Sequence, residues 1–264
     1  MFRLLFLADI VGRPGRRAVR DILPALKAEF SPDLVIANGE NSAGGLGIDA
    51  GTAKEIFAAG VDIITTGNHV WNKKEVGALL SGESHRLLRP INFATGAPGV
   101  GACQYLSPDG LKIVIVNAMG RVFMNDLLDC PFQAIESLLC SELCQDAIIF
   151  IDFHAEATSE KIAMAHFLDG RVAALVGTHT HVQTADERVF PKGLAYISDV
   201  GMCGPTNGVI GVNADAIVHR FRTGLPMRFE VADGPSSVNG VVIDCDPETK
   251  VALAIKRIQR DVAA

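Results

Sequence analysis

Short apolar runs alternate with amphipathic segments along most of this chain. Apolar runs of about four to eight residues predict buried strands, and apolar positions that recur with a period of about 3.6 residues predict helices. The predicted strands are Arg3–Ala8, Leu34–Ala37, Ile63–Thr65, Lys112–Asn117, Ile148–Phe153, Val172–Val176, Ala195–Ser198, Arg228–Val231, Val238–Asp244 and Ala252–Arg257. The predicted helices are Gly15–Glu29, Ala50–Ala59, Lys73–Leu80, Phe132–Leu143, Ser159–Leu168 and Asn213–Arg222.

The alternation of strand and helix over the first two-thirds of the chain predicts an α/β fold whose strands are covered on both faces. From about Leu194 onward strands predominate, with one helix between them. No internal repeat, low-complexity tract or long flexible linker interrupts the sequence. We therefore expect one α/β domain over residues 1–264, built on two packed sheets.

Polar residues stand directly after five of the predicted strands. They carry carboxylate, amide or imidazole groups, and they are Asp9, Glu40, Asn41, Asn68, His69, His154, His179 and His181. In open α/β sheets the loops at the carboxyl ends of the strands form the ligand-binding edge. Each residue alone also has an ordinary structural interpretation, such as a turn, a helix cap or a packed imidazole. His179 and His181 are separated by one residue, so on an extended backbone both would project to the same side.

The chemistry of these side chains indicates a metal site. Oxygen and nitrogen donors without thiolate favour manganese, iron, zinc, nickel or cobalt over calcium or an iron–sulfur cluster. The seven donors other than His69 exceed what one ion takes from a protein while leaving room for substrate. They suit two ions that share a bridging ligand, and the two oxygens of Glu40 make it the natural bridge. Two-metal sites of this kind activate water for in-line displacement at phosphorus.

Composition and charge restrict the partners of such a site. The chain has 264 residues, 48% of them hydrophobic, and a formal net charge of −6. Without a run of Lys or Arg, the sequence disfavours long nucleic acids and leaves small nucleotides as substrates. No apolar run approaches the roughly 18 residues needed to cross a bilayer, and the N-terminal apolar stretch lacks a cleavage site. We expect a cytoplasmic protein without a membrane partner, and a homo-oligomer is compatible with the sequence.

Several motifs resemble the metallophosphoesterase, or calcineurin-like, signature. They are the sequence GNH at Gly67, Asn68 and His69, the later His154, and GTHTH at residues 177–181, in that order and at strand ends. Two blocks depart from that signature. The opening Asp-x-His is here Asp9, Ile10 and Val11, and the usual bridging Asp is replaced by Glu40 followed by Asn41.

These departures resemble a narrower branch, the YmdB-like phosphodiesterases. The similar segments extend over nearly the whole chain and are DIVGRPGRRA, NGENSAGG, TTGNHVW, DFHAEATSEK, GTHTHVQTAD and SDVGMCGP. The resemblance implies an αββα sandwich, in which helices flank two packed mixed β-sheets. It also implies two metal ions, iron or alternatively manganese, and hydrolysis of 2′,3′-cyclic nucleotides to 3′-nucleotides.

The resemblance further implies a role for each site residue. One metal would be held by Asp9, Glu40, Asn41 and His181, and the other by Glu40, Asn68, His154 and His179. Asn41 would replace the histidine that Val11 cannot provide. His69 would be an acid that binds neither metal, although a purely structural role at a helix start is the alternative. A phosphomonoesterase, a nuclease and a regulatory metal- or nucleotide-binding protein remain competing functions, because a metal site recognises phosphate rather than the rest of the substrate.

Overall fold

Thirteen strands and six α-helices make up the part of the chain that the computed structural model describes, residues 1–262. The strands are β1 (Phe2–Leu7), β2 (Asp9–Ile10), β3 (Leu34–Asn38), β4 (Ile63–Thr65), β5 (Ala102–Leu106), β6 (Lys112–Met119), β7 (Ile148–His154), β8 (Ala174–Thr178), β9 (Arg188–Val189), β10 (Ala195–Ile197), β11 (Met202–Pro205), β12 (Ser236–Cys245) and β13 (Ala252–Val262). The helices are α1 (Gly12–Phe30), α2 (Ala50–Ala58), α3 (Val76–Gly82), α4 (Pro131–Leu139), α5 (Thr158–Leu168) and α6 (Ala214–Thr223), with short 3₁₀ turns at Val70–Asn72 and Glu142–Cys144.

The strands form two mixed sheets. The first has the order β2-β11-β12-β1-β3-β4, with β13 pairing along β12, and the second has the order β5-β6-β7-β8-β10-β9. Pairs β1–β3, β3–β4, β6–β7, β7–β8 and β8–β10 are parallel. The carboxyl ends of the parallel strands within each sheet therefore open at a common edge, where polar loops meet.

The side chains of strand β7 point alternately into two hydrophobic cores, one on each face of the second sheet. Ile148 and Phe150 belong to the core that contains the first sheet, whereas Ile149, Ile151 and Phe153 belong to a separate core with α4 and α5. The rings of Phe150 and Phe6 of β1 lie 5.3 Å apart, centroid to centroid. Because side chains alternate along a strand, the continuous apolar run IIFI is needed to cover both faces.

Helices cover the outer faces of the two sheets. Helix α1 buries one apolar stripe, including Val19, Leu23 and Leu26, against the first sheet. Its Gly15 lies so close to β11 that a Cβ there would clash with the carbonyl oxygen of Cys203, so only glycine allows this approach. Helices α4 and α5 cover the second sheet. The prediction of an αββα sandwich with two packed mixed sheets is confirmed.

Most of the predicted elements are present, but one strand is wrong and others are shifted or were not predicted. Residues 228–231 form only an isolated bridge between Val231 and Val212, because no partner strand among the described residues lies beside the rest of that segment. The predicted strand Val172–Val176 is Ala174–Thr178, since pairing with β7 continues beyond the apolar run. The sequence did not predict β2, β5, β9 or β11, which are short or partly exposed.

The predicted domain of residues 1–264 includes two final residues that lie outside the described part of the chain. Within residues 1–262, no helix is both long and apolar enough to cross a membrane.

Candidate metal centre

All seven predicted metal ligands come from the ends of neighbouring strands. Asp9 begins β2, Glu40 and Asn41 follow β3, and Asn68 follows β4. The second sheet supplies His154 as the last residue of β7, and His179 and His181 from the loop after β8. Both sheets therefore contribute possible metal ligands to one site, which lies at the ends of their strands.

The first group of donors surrounds the Nε2 atom of His154. This nitrogen lies 2.9 Å from Asn68 Oδ1, 3.1 Å from Glu40 Oε1 and 3.1 Å from His179 Nδ1. Glu40, His154 and His179 offer ligand atoms that all lie within 4.8 Å of one another. Two imidazoles, one carboxylate and one amide oxygen form a donor set suited to a first-row transition metal. These residues form a possible metal-binding site that fits a metal-dependent phosphoesterase.

A second group of donors shares Glu40 with the first. Asn41 Nδ2 lies 3.1 Å from Glu40 Oε1 and 3.2 Å from His181 Nε2. Asp9 Oδ1 lies 3.8 Å from the same His181 nitrogen. The amide nitrogen of Asn41, and not its oxygen, faces Glu40 and His181. Asn41 could bind a metal ion through its oxygen only after the amide group rotates by about half a turn. The two groups of donors therefore meet at the same oxygen of Glu40, Oε1.

Asp9 carries a buried oxygen with no partner. Its side chain is fully buried, and Oδ1 has no hydrogen bond among the described residues. Burial raises the pKa of Asp9 well above its ordinary value, although nearby His154 acts in the opposite direction. An unpartnered buried carboxylate is unfavourable by roughly several kcal/mol. A cation between Asp9 and His181 would supply the missing partner, so this oxygen fits a metal ligand.

Glu40 and His154 have strongly shifted pKa values in opposite directions. Burial opposes the ionisation of Glu40, but the charge of His154 and its hydrogen bond lower the pKa of this carboxyl to about 2. Burial also opposes the charge on His154, but Glu40 and Asp9 raise the pKa of its imidazole to about 9. The protonated imidazole of His154 thus provides the positive charge that stabilises the buried carboxylates. A bound metal cation can provide that positive charge instead.

Each of the three histidines is held through the nitrogen that faces away from the cluster. The contacts are His154 Nδ1 to Thr178 Oγ1 at 2.9 Å, His179 Nε2 to Glu156 Oε2 at 3.0 Å and His181 Nδ1 to the Ile210 carbonyl oxygen at 2.9 Å. Carboxylate and carbonyl oxygens only accept, so the hydrogens of His179 and His181 lie on these outer nitrogens. Their lone pairs face the cluster, as is typical of metal-ligating histidines.

Burial favours the neutral form of the same two histidines. Burial, with a further contribution from nearby His154, lowers the pKa of His179 to about 3. Burial also lowers the pKa of His181. Metal ligation needs the neutral imidazole.

The loop that carries these histidines is not extended, which corrects the sequence-based argument for the pair. His179 and His181 have φ angles of 101° and 65°, in the left-handed region. The buried Lys161–Asp199 ion pair, 2.9 Å long, holds this loop. Lys161 donates to the carbonyl oxygen of Thr178, and Asp199 accepts from the backbone N–H of Thr180. Backbone strain at ligand residues persists only where surrounding contacts enforce it.

Gly67 of the GNH sequence is required by close packing. A Cβ at this position would clash with Glu40 Oε2 and with the imidazole of His154. Any other residue would displace two donors of the first group, because neither can move without leaving the cluster.

His69 lies beside the donors and makes few contacts through its ring. Its backbone N–H donates to Glu40 Oε2 at 3.1 Å, and its Nε2 lies 3.4 Å from Asn68 Nδ2. The side chain is partly exposed at the edge of the site. Asp126, half-buried in the loop after β6, also faces this region: burial raises the pKa of its carboxyl, and His69 is the main group that opposes the rise.

Sequence reasoning missed residues that support the donors. Glu156 stands two positions after His154 in DFHAEA, where an acidic residue is a usable signal. Asp152 is a charged residue inside the apolar run IIFIDFH, which is also a usable signal. Asp126 and Lys161 lie in segments whose sequence gives no such indication.

The whole chain is similar to known proteins. A family model described as YmdB-like protein matches residues 5–258. The chain is 47% identical over 256 residues to a 2′,3′-cyclic-nucleotide 2′-phosphodiesterase of Bacillus subtilis (strain 168), covering 97% of this chain and 96% of that protein.

Two solved structures share the fold over almost the full length. A hypothetical protein from Thermus thermophilus has a TM-score of 0.92 and 42% identity, with 99% of this chain and 100% of that chain covered. A novel phosphatase from Mycoplasma pneumoniae has a TM-score of 0.93 and 36% identity, with 99% and 94% covered. With this agreement in sequence and fold, the chain belongs to the YmdB-like family.

Proposed function

We propose that this protein is a phosphodiesterase that hydrolyses 2′,3′-cyclic nucleotides to 3′-nucleotides at a dinuclear metal centre within a single domain. The observation that supports the proposal most strongly is the pair of donor groups that overlap at Glu40. The Bacillus subtilis relative carries this activity in its name, and it covers nearly the whole chain. A phosphoric diester hydrolase fits both the donor chemistry and the family.

Two metal ions would be held by the two donor groups. Asp9, Glu40, Asn41 and His181 would hold one, and Glu40, Asn68, His154 and His179 the other. When bound, the ions would neutralise phosphate charge and lower the pKa of a water molecule that attacks phosphorus. Imidazole, carboxylate and amide donors suit iron, and manganese is the alternative.

His69 would serve as the general acid. Hydrolysis forms a bond from the water oxygen to phosphorus and breaks the bond from phosphorus to the 2′ oxygen, which must gain a proton. The backbone of His69 is fixed to Glu40, while its ring lies at the exposed side of the cluster. A protonated ring there can stabilise the phosphate oxygens and donate to the departing oxygen.

The charge of the chain is consistent with a small substrate. A formal net charge of −6 gives no general attraction for a polyanion, so the local cations must bind the phosphate. We therefore propose a small nucleotide phosphodiester as the substrate.

Phosphorus NMR of the metal-loaded protein tests the activity. We expect 2′,3′-cyclic AMP to be converted to 3′-AMP, with slower or no turnover of a 3′,5′-cyclic nucleotide and of a phosphomonoester. Faster release of phosphate from the monoester would identify a phosphomonoesterase instead. If none of the three substrates is consumed, the protein is better described as a metal- or nucleotide-binding regulator.

A further inference from the structure

We infer that Asp152 is a positioning residue for the metal centre: acting through the Thr178 hydroxyl, it keeps a hydrogen on His154 Nδ1 and directs the Nε2 lone pair toward the metals. The inference rests on the proposed function, because it concerns a ligand of the proposed centre. Asp152 acts on the metal-ligating nitrogen of His154 indirectly. Its effect is transmitted by two hydrogen bonds, one between Asp152 and Thr178 and one between Thr178 and His154.

Asp152 occupies an unusual position in β7. It lies on the face of the strand that carries Ile148 and Phe150 into the core between the sheets, two residues before His154. Its side chain is fully buried. A carboxylate in such a place is strongly unfavourable unless hydrogen bonds compensate it. The bonds that surround Asp152 should therefore be specific and numerous.

Three donors from three different strands converge on this carboxylate. Asn38 Nδ2 and Thr65 Oγ1 donate to Oδ2 at 3.0 and 2.5 Å, and Thr178 Oγ1 contacts Oδ1 at 2.7 Å. The orientation of the Asn38 amide is fixed, because its Oδ1 accepts from the backbone N–H of Glu40 at 3.1 Å. The hydrogen bonds from Asn38, Thr65 and Thr178 stabilise the ionised form of this buried carboxyl group.

The position of one hydrogen follows from counting donors and acceptors. Thr178 has a single hydroxyl hydrogen, and its Oγ1 lies 2.7 Å from Asp152 Oδ1 and 2.9 Å from His154 Nδ1. A carboxylate only accepts, so the hydroxyl hydrogen points to Asp152. The contact to His154 is then a hydrogen bond only if Nδ1 is the donor. That leaves Nε2, which faces Asn68, Glu40 and His179, available to a metal ion.

The same carboxylate also reaches the proposed bridging ligand. Asn38 donates to Asp152 with its nitrogen and accepts from the Glu40 backbone with its oxygen. One buried group thus connects His154 of the second sheet with Glu40 of the first. Asp152 fixes the relative position of these two donors as well as the hydrogen of His154.

The substitution Asp152→Asn tests this arrangement with almost no change in volume. Asn38 and Thr65 would hold the amide oxygen at the Oδ2 position, so the amide nitrogen would face Thr178 and donate to it. The Thr178 hydrogen would then turn to His154 Nδ1 and place the imidazole hydrogen on Nε2, where it blocks the metal. We expect zinc, used as the probe metal, to bind about 10- to 100-fold more weakly, as measured by competition with a chromophoric chelator.

Substitutions of the two threonines separate positioning from folding. Thr178→Val removes the relay to His154 and should weaken zinc binding in the same range, while Thr178→Ser should restore it. The matched control is Thr65→Val, which removes another hydroxyl from the same carboxylate but not from the path to His154. This variant should unfold at lower urea concentration yet bind zinc as tightly as the wild type.

Nitrogen NMR of the zinc-loaded protein adds a direct readout. A protected Nδ1 hydrogen on His154 should be visible in the wild type and in Thr178→Ser, and should shift or exchange rapidly in Thr178→Val. Wild-type zinc affinity in both Asp152→Asn and Thr178→Val, or equal weakening in Thr65→Val, would overturn the inference while leaving the metal centre intact. A wild-type protein that binds no zinc at these donors would instead refute the proposed centre itself.

Discussion

His69 combines a fixed backbone with a ring at the edge of the site. The backbone is bonded to Glu40, and the ring contacts Asn68 among the proposed ligands. A residue that bound metal would lie inside the donor cluster, as His154 does. The position of His69 is compatible with the proposed role in proton transfer.

Replacing His69 by alanine should separate catalysis from metal binding. We expect kcat for 2′,3′-cyclic AMP to fall by about 10²-fold or more, the usual effect of losing a general acid, while metal content is unchanged. Turnover assays and elemental analysis of the same sample measure both. His85→Ala, which changes an exposed histidine beside Glu83, should behave as the wild type. Unimpaired turnover of His69→Ala would remove this residue from the mechanism.

Asn41 is the proposed metal ligand that would replace the histidine of the metallophosphoesterase signature. Its side chain is buried between Glu40 and His181. We expect Asn41→Ala to lose about one metal ion per chain, since the second donor group would keep only Asp9, the shared Glu40 and His181. Asn41→Asp keeps an oxygen donor and should retain more metal. Elemental analysis decides the question, and full occupancy in Asn41→Ala would exclude Asn41 as a ligand.

At the scale of an element, the loop after β8 depends on the Lys161–Asp199 ion pair. Lys161 belongs to α5 and Asp199 follows β10, and each side chain is only 2% exposed. Together they hold the backbone on either side of His179 through Thr178 and Thr180. The pair fixes a backbone conformation that a histidine rarely adopts alone.

Breaking this ion pair should destabilise the protein strongly. Lys161→Met leaves the Asp199 carboxylate buried and unpaired, and we expect the free energy of unfolding to fall by about 3 to 5 kcal/mol. Urea denaturation measures the change. The control Arg20→Met removes an exposed partner of Asp21, which should matter by about 1 kcal/mol or less. Similar losses in both variants would mean that the buried pair has no special role.

At the scale of the whole molecule, the thiols report on the integrity of the core. All six cysteines are free, and Cys140 is exposed whereas Cys103, Cys203 and Cys245 are buried. Burial raises the pKa of each of these three buried thiols to about 12. The reactive thiolate form is therefore suppressed at the three positions as long as the fold is intact.

Iodoacetamide labelling at about pH 8, near the ordinary thiol pKa of ~8.5, should modify Cys140 first. We expect Cys103, Cys203 and Cys245 to react only when the whole protein unfolds, so that mass spectrometry of tryptic peptides shows them labelled together as urea increases. Early labelling of Cys203 alone would show that β11 separates from the first sheet before global unfolding.

Much of the fold could be predicted from local sequence. The run IIT gave β4 at its observed bounds, and the long apolar run of β7 was placed to within one residue. Two segments depart from the local pattern. Residues 228–231 look like a strand but have only one paired position, whereas β11 lacks a clear strand pattern but pairs with β12 and β2. Pairing across the molecule, which the local pattern does not contain, decides such cases.

Strand periodicity and turn residues are local properties, so the amino-acid sequence alone specifies which chemical groups stand at the ends of the strands. How those groups meet depends on contacts across the folded molecule. Asp9 and the His179 backbone come within 3.4 Å although 170 residues separate them, and Thr65 reaches Asp152 across 87 residues. The left-handed backbone at His179 and its Glu156 partner depend on contacts between α5 and the loops of the second sheet. The hydrogen bonds of Asp152 to Asn38 and Thr65 depend on packing of the two sheets.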